Sequence, residues 1–261
     1  VFITNFQYGS WEKMLQEAVH ASAGHVVVQP EGYQDSKDLD LLLDHSSSIA
    51  DAVRAAVPGA TVLRRAFLQG LLASPTNTVA VAISAVEPVP EEAVSRVPEK
   101  LVEGAWLAAD STREVIVGSE LARKLGSGVG AKVVLMVNSG GEIQAAPLRI
   151  GGIFETGSLQ TDSFYALVSL AAAQGLLPEH EDPATQIALQ LDSLDVPPAT
   201  LAAVRSAAGG SGREVLHWHD AIPDLLEQSE ADKAGGDVIW LALAAIVSIG
   251  VLNVLLMSLF H

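Results

Sequence analysis

The apolar run formed by residues 238–260 constrains the fold of this chain more than any other stretch. It contains no charged residue, and only Ser248, Asn253 and Ser258 interrupt it. At about 1.5 Å per residue, a helix of this length crosses a hydrocarbon core of about 30 Å. Helices buried in soluble domains rarely extend this far without a polar face. The run therefore predicts a transmembrane helix rather than a core helix.

The sequence before this run indicates its orientation. Residues 221–237 contain one basic residue, Lys233, among several acidic ones. Short cytoplasmic flanks normally carry an excess of Lys and Arg, and acidic residues count little in that rule. We therefore expect residues 221–237 to form a connector helix that lies outside the cytoplasm and enters the membrane from that side.

Two residues of the run, Gly250 and Asn253, share a helical face at spacing i, i+3. A polar amide in hydrocarbon is costly unless it finds a hydrogen-bond partner, and small residues let helices approach closely. We predict that Gly250 and Asn253 pack against another membrane helix.

The charge of the chain excludes one class of partner. The formal net charge of −16 lies entirely outside the apolar run. Such a surface repels nucleic acid and offers no polybasic patch for anionic lipid. The chain has no cysteine, so disulfides and thiolate chemistry are excluded as well. We expect a conventional hydrophobic core and no nucleic-acid partner.

The first residues suggest a second contact with the membrane. The chain begins at Val1 rather than methionine, and we interpret it as a piece of a longer protein. Tyr8 and Trp11 are of the residue types that favour the membrane–water interface. Residues 1–21 are either the end of an earlier membrane helix with its connector or an ordinary amphipathic helix, and both interpretations stay open.

Two similar patterns of strands around a helix stand at the two ends of the intervening sequence. The first pattern is a strand at 25–29, a helix through Val57 with its N-cap among Ser46–Ser48, and strands at 60–73 and 76–86. The second is a strand at 186–191, a helix that Pro197-Pro198 start and that ends at about Ala208, and a strand at 214–217. The repetition predicts an α+β fold with a split βαβ arrangement of the ferredoxin-like kind, in which helices cover one face of a mixed sheet.

The sequence between the two patterns is rich in strands. Residues 87–102 are rich in proline and glutamate and indicate a boundary. Beyond it we predict a strand at 114–117, a helix at 119–125 closed by Gly126 and a hairpin of 132–137 with 142–154 around Asn138–Gly141. A strand at 164–168 follows, and then a helix that Ser169 caps and that runs through Leu177. We therefore expect one subdomain from residues 22–90 and 180–220, and an inserted β-rich subdomain from residues 91–179.

One glycine-rich segment formally matches a nucleotide-binding fingerprint. Residues 126–131 read G-S-G-V-G-A. A dinucleotide site needs a strand before the glycines and a helix after them, so that the phosphates meet a helix N-terminus. Here the predicted order is reversed, which favours a helix cap and a turn.

The best metal-like cluster is His217-Trp218-His219-Asp220. Residues i and i+2 of a strand share a face, so the imidazoles of His217 and His219 could reach one zinc ion. The sequence offers no third ligand at a suitable spacing, and a polar strand end leading into a helix is the alternative. No catalytic constellation emerges elsewhere, since residues 209–213 fail the G-x-S-x-G pattern at its last position.

Several stretches in this order resemble the FtsX/MacB-type permeases of ABC transporters, especially the lipoprotein-releasing (LolC/LolE-like) branch. The matching stretches are 24–28 with 32–33, 81–88 (VAISAVEP), 116–125 (IVGSELARKL), 129–137 (VGAKVVLMV), 151–157 (GGIFETG) and 252–260 (LNVLLMSLF). The order of the stretches is more specific than any one of them.

The resemblance implies a multi-pass protein of the cell inner membrane with four transmembrane helices. Its large periplasmic domain would consist of a split βαβ "porter" subdomain and an inserted β-rich "sabre" subdomain, followed by the second membrane helix. The resemblance also implies dimerisation with a second permease copy or homologue, and ATP hydrolysis by a separate cytoplasmic ABC ATPase. This chain would then have no catalytic residue and no cofactor, and a lipoprotein or a periplasmic carrier would be its further partner. A substrate pathway near Trp240 and Leu243 is a guess that follows from the same resemblance.

Three other functions compete with lipoprotein release. Within the family, the chain could serve MacB-like efflux or mechanical signalling, or it could be an FtsX-like regulator of cell-wall hydrolases. From another class, it could be a membrane-anchored periplasmic enzyme, which a stoichiometric metal at His217 and His219 or turnover without an ATPase would favour.

Overall fold

The computed structural model describes residues 24–36, 41–177, 180–191 and 193–221. Within these ranges no helix has both the length and the apolar character that crossing a membrane requires. The predicted transmembrane helix at 238–260, the connector at 221–237 beyond Ala221 and the segment 1–21 lie outside the described residues.

The strands of the described chain are β1 (Val26–Pro30), β2 (Thr61–Ala73), β3 (Thr78–Val86), β4 (Leu101–Gly104), β5 (Glu114–Gly118), β6 (Lys132–Ser139), β7 (Glu142–Phe154), β8 (Tyr165–Ser169), β9 (Gln186–Gln190) and β10 (Arg213–His217). The helices are α1 (Tyr33–Ser36), α2 (Ser46–Ala56), α3 (Pro88–Val94), α4 (Ser119–Leu125), α5 (Leu159–Phe164), α6 (Leu170–Gln174), α7 (Pro198–Ala208) and α8 (Trp218–Ala221). A 3₁₀ turn at Pro98–Lys100 precedes β4.

The two patterns at the ends of the sequence form one unit of the predicted split βαβ kind, and its strands pair antiparallel. Its strand order is β10-β1-β9-β2, which is the order 4-1-3-2 of the ferredoxin-like split βαβ arrangement. Val26 pairs with His217 on one side and with Leu189 on the other. The crossover helices α2 and α7 pack against each other. The α+β fold and this part of its topology are confirmed.

The start of helix α2 differs from the prediction. The N-cap residue is His45, with a left-handed φ of 54°, and not one of the serines Ser46–Ser48. The carboxylate of Asp182 takes the role of the cap, because the backbone N–H of Ser47 donates to its Oδ2 at 2.7 Å. A residue distant in the sequence therefore satisfies the helix terminus, and only the tertiary structure brings it there.

The middle of the sequence extends the same sheet. Strand β3 pairs with β8 in parallel, β5 lies between β8 and β7, and β6 pairs with both β2 and β7. The hairpin of β6 and β7 is confirmed, with a two-residue turn at Gly140 and Gly141 whose φ values of 59° and 84° require glycine. The segment 87–102 contains α3, the 3₁₀ turn and the start of the edge strand β4, and its interpretation as a boundary stays a prediction.

The main hydrophobic core lies under the middle of this sheet. Strands β2 and β3 contribute Leu68, Leu72 and Ile83 to it, all almost completely buried. They pack against the apolar side chains of α4 and α6, including Leu121. Since β2 and β3 also border the ferredoxin-like unit, one pair of long strands supports both parts of the molecule. The division into two subdomains itself remains a prediction.

Gly118, the last residue of β5 before α4, lies where the chain is packed too closely for a larger side chain. A Cβ atom at Gly118 would overlap three backbone atoms of Asp162, whereas a Cβ at Gly128 would meet nothing within 4 Å. We expect Gly118→Ala to lower the free energy of unfolding by about 1–3 kcal/mol through overpacking. Gly128→Ala is the matched control and should leave it within about 1 kcal/mol of wild type. Urea denaturation of both variants measures the difference, and equal effects would contradict the packing at Gly118.

Candidate functional site

Two consecutive arginines, Arg64 and Arg65, lie in β2. They are next to the residues at which the chain enters the β-rich middle segment and to those at which it returns from that segment. Arg64 and Arg65 point to opposite faces of the strand because successive side chains alternate. Arg64 contacts Glu87 and Asp182, which precede and follow the middle segment, and Arg65 contacts Glu91 at the start of that segment. We call the set Arg64, Arg65, Glu87, Glu91 and Asp182 the arginine junction.

Arg64 connects the outgoing and the returning chain on one face of β2. Its Nε and Nη2 atoms donate to Oε1 of Glu87 at 3.0 and 2.7 Å. Its Nη1 atom donates to Oδ1 of Asp182 at 2.6 Å and to Oγ of Ser46 at 3.2 Å. The guanidinium thus holds together two carboxylates from opposite ends of the middle segment and the first residue of α2.

Arg65 forms a buried bidentate ion pair on the opposite face of β2. Its Nε atom donates to Oε2 of Glu91 at 2.9 Å, and its Nη2 atom donates to Oε1 at 2.8 Å. The side chains of Arg65 and Glu91 are only 2% and 7% exposed. This fork geometry fixes both the distance and the orientation of two planar groups, and it joins β2 to helix α3.

The returning segment is also bound to the backbone of β2. The N–H of Thr185 donates to the carbonyl oxygen of Arg65 at 3.0 Å. The N–H of Phe67 donates to Oγ1 of Thr185 at 3.0 Å. Thr185 therefore substitutes for a strand partner at the point where β9 is about to begin.

The charges of the junction stabilise one another. Burial alone would lower the pKa of Arg64, but Glu87 and Asp182 raise it above its ordinary value. Burial alone would raise the pKa of Asp182, but the hydrogen bonds from Ser47 and the contact with Arg64 hold it below its ordinary value. Both groups are therefore kept ionised in the folded protein.

A polar cleft opens beside the junction, between α2, α7 and residues 181–182. Its volume is about 550 Å³, and His45, Asp182 and Arg213 are among the residues that line it. His45 and Asp182 are the non-glycine residues with positive φ in the described ranges, at 54° and 51°. Such conformations are sparsely populated, and they cluster where the surrounding structure imposes them. Here the segments that contain the two positive φ values hold each other in place, since the N–H of Ser46 donates to the carbonyl oxygen of Asp182 at 3.1 Å.

The predicted histidine pair lies at the end of β10, away from this junction in the sheet order. The Nδ1 atoms of His217 and His219 are 2.8 Å apart, and the rings are stacked. Burial, followed by the charge of His219, lowers the pKa of His217. Between them, Trp218 is buried and donates from Nε1 to the carbonyl oxygen of Leu194 at 3.0 Å. The tryptophan anchors this end of the described chain in the domain.

The histidine pair is a weak metal candidate by its geometry. In the described part of the chain, no group of three or more His, Cys, Asp or Glu side chains could hold a metal ion together. His219 also stacks on Trp218, with ring centroids 3.6 Å apart, and metal binding by the pair stays a prediction.

The structure places the other predicted residues as follows. Gly126 closes α4 with a φ of 63°, and β6 follows it, so the glycine-rich segment caps a helix and turns the chain as interpreted from the sequence. The predicted packing residues Gly250 and Asn253 and the guessed pathway residues Trp240 and Leu243 lie outside the described residues.

Sequence reasoning missed the arginine junction. One signal was present: two arginines interrupt an otherwise apolar strand, and buried arginines need carboxylate partners. Glu87 and Glu91 were visible in the sequence, but they were interpreted as part of a solvated boundary.

Comparisons with known proteins agree on the fold. The family model described as "MacB-like periplasmic core domain" matches residues 1–207. The periplasmic region of MacB from Actinobacillus actinomycetemcomitans is similar in structure, with a TM-score of 0.54 at 13% identity, covering 82% of this chain and 98% of that one. The extracellular domain of the noncanonic ABC-type transporter YknZ from Gram-positive bacteria gives a TM-score of 0.53 at 13% identity, covering 74% and 98%. No curated protein matches the sequence.

The buried pair of the junction should dominate its contribution to stability. We expect Glu91→Gln to lower the free energy of unfolding by about 3–5 kcal/mol, because the buried guanidinium of Arg65 loses its bidentate carboxylate. The double variant Arg65→Met with Glu91→Leu should recover much of this loss, since apolar residues need no charge partner. Chemical denaturation measures both effects.

The exposed pair of Glu120 with Arg123 provides the control for that experiment. Glu120→Gln should leave the unfolding midpoint close to wild type, because solvent screens an exposed ion pair. A loss of similar size for Glu91→Gln and Glu120→Gln would contradict the assignment of Glu91 to the core.

The lowered pKa of Asp182 predicts a pH dependence of stability. The contribution of the ionised carboxylate is complete above the unfolded-state pKa of about 4 and is lost as the pH falls through the lower folded-state pKa. We therefore expect the difference in melting temperature between wild type and Asp182→Asn to be largest above pH 4 and to shrink as the pH falls below it. A constant difference at all pH values would show that Asp182 acts by shape and not by charge.

Proposed function

The chain belongs to the family of MacB-like periplasmic core domains, and from this premise we propose that it is the periplasmic part of an ABC transporter permease subunit. The permease couples ATP hydrolysis by a separate cytoplasmic ATPase to movement of this domain. The chain itself is a non-catalytic subunit that transmits force. A second permease copy or a homologue completes the transporter.

The arginine junction supports a mechanical function. Arg64 connects Glu87 and Asp182, the porter residues next to the two crossings of the chain, so it holds the base of the inserted subdomain together. Arg65 and Glu91 join the same strand to α3 on its other face. Arg65 lies in the proposed porter subdomain and Glu91 is the first residue of the inserted one, so displacing one subdomain against the other would strain this buried pair, which is costly. A movement applied to one part is therefore transmitted to the other part.

We propose the following division of labour along the chain. Residues 22–90 and 180–220 form the porter subdomain, residues 91–179 form the inserted sabre subdomain, and residues 221–237 connect the domain to a transmembrane helix at 238–260. Gly250 and Asn253 of that helix pack against another membrane helix. Trp240 and Leu243 lie along the substrate pathway. The main domain then lies in the periplasm, and the protein resides in the inner membrane.

Lipoprotein release from the inner membrane is the transport reaction that we favour. Its support is the ordered set of sequence stretches, including 81–88 and 151–157, that resembles the LolC/LolE-like branch. MacB-like efflux or mechanical signalling is the alternative within the family, and FtsX-like regulation of a hydrolase is a further one. A membrane-anchored enzyme is the alternative of another class.

The proposal predicts strict dependence on the partner ATPase. In proteoliposomes that contain the full permease, its ATPase and a fluorescent lipoprotein, we expect transfer of the lipoprotein to a soluble periplasmic carrier only with ATP and an intact ATPase. Glu91→Gln should lower the amount transferred per ATP hydrolysed, because the junction no longer transmits movement fully. Glu120→Gln should leave this ratio unchanged.

The outcomes separate the alternatives. Export that requires an outer-membrane channel would favour efflux, and activation of a hydrolase without transfer would favour the regulator. Turnover of a periplasmic substrate without any ATPase would contradict the permease function. Equal transfer per ATP in wild type and Glu91→Gln would contradict force transmission through the junction.

A further inference from the structure

An exposed apolar surface covers the side of the sheet opposite to the main core. In the antiparallel ladders of β2, β6 and β7, Leu71 pairs with Met136, which pairs with Ala145. In the next row, Val134 pairs with Pro147. Paired residues point to the same face of a sheet, so these side chains are neighbours. Together with Ile143 they form what we call the open face: Leu71, Val134, Met136, Ile143, Ala145 and Pro147.

The composition of the open face is unusual for a surface in contact with water. The side chains of Leu71, Val134 and Ile143 are 45%, 39% and 75% exposed. In an antiparallel sheet with one solvated face, apolar residues that point into the core normally alternate along each strand with polar residues that point to water. In β6 the inward positions Val133 and Leu135 are in the core, but the outward position between them, Val134, is apolar as well. A contiguous exposed apolar patch with a polar rim is typical of a binding surface.

Three cations border one end of the open face. Lys132 and Arg149 are directly opposite each other across β6 and β7, and like charges in that position are destabilising. Arg113 lies beside them, since its carbonyl oxygen accepts from the N–H of Arg149 at 2.8 Å. Glu114 of β5 is the residue paired with Arg149 in the parallel ladder of β5 and β7. Its carboxylate accepts a hydrogen bond from Oγ of Ser111 at 2.9 Å. Within the described ranges, no carboxylate lies within 4.0 Å of the three cations.

A hollow of about 580 Å³ lies where the cations meet the apolar rows. Arg113, Lys132 and Arg149 line it together with Val134 and Pro147. A ligand that fits this hollow presents carboxylates to one end and apolar side chains to the other. The concentration of positive charge is notable in a chain with 15 basic and 31 acidic residues.

We propose that the open face is the docking site for an amphipathic segment of another protein, with apolar side chains over Leu71 and Ile143 and carboxylates against Arg113, Lys132 and Arg149. Charge complementarity selects this occupant. The net charge of −16 disfavours an anionic membrane surface, which needs larger basic clusters. A second copy of the chain would bring a second set of the same cations to the interface. The inference is independent of the transported substrate.

Site-specific photocrosslinking in the cells that make the protein tests this proposal. Benzoylphenylalanine is placed at Leu71 or Ile143 of the full chain, and at Val102 in the edge strand β4 as a control, since Val102 is 54% exposed and apolar but lies off the open face. We expect adducts with a second protein from Leu71 and Ile143 and none from Val102. The crosslinked peptide, identified by mass spectrometry, should be amphipathic with acidic residues at one end.

A charge reversal decides the role of the cations. The pair Lys132→Glu with Arg149→Glu should lower the adduct yield from Ile143 about tenfold. The matched pair Lys100→Glu with Arg205→Glu changes the net charge equally at exposed sites elsewhere and should leave the yield unchanged. All variants should keep the wild-type unfolding midpoint, which separates loss of docking from loss of folding. Adducts with a second copy, adducts with lipid, adducts that persist after the reversal, or no adducts above the Val102 control would each overturn the proposal.

Discussion

Burial of two adjacent arginines in β2 is the constraint on which the rest of this structure depends. A buried guanidinium requires carboxylates with suitable geometry, because an uncompensated charge in the interior is very costly. Arg64 finds them in Glu87 and Asp182, and Arg65 finds one in Glu91. The chain must therefore leave β3 and approach β9 along paths that bring these carboxylates back to the same strand.

The same strand also determines how the two parts share one sheet. Thr61–Arg65 of β2 pair with β9 of the ferredoxin-like unit, whereas Gly70–Ala73 pair with β6 of the middle segment. Strand β3 pairs with β2 from Arg65 to Ala73 on one edge, and its residues Ala82–Val86 pair with β8 on the other edge. A long two-stranded ribbon thus runs from one part to the other, and the arginine junction lies at the end where the ferredoxin-like unit begins. Hydrogen bonds of the sheet and ion pairs of the side chains support the same connection.

Local patterns predicted the elements of this fold well, and they failed where distant residues decide. The alternation of apolar residues, the turn glycines Gly140 and Gly141 and the cap Ser169 are local signals, and the structure confirms them. The cap of α2 comes instead from Asp182, which no local pattern could reveal. Helix α3 was missed because its prolines and glutamates are typical of a loop, while the burial of Glu91 against Arg65 stabilises a helix there. The open face was missed because its pairing partners lie on three strands, so that the apolar residues become neighbours only in the sheet.

A buried ion pair at this position needs a reason other than stability. Well-packed apolar residues of similar volume are often as stabilising as a buried pair, or more so. They would, however, allow β2 and α3 to slide against each other, since apolar contacts have little directionality. The two parallel hydrogen bonds between Arg65 and Glu91 permit one distance and one orientation. The mechanical function that we propose gives such a reason: a domain that transmits movement between its parts needs a fixed position between β2 and α3 more than it needs additional stability.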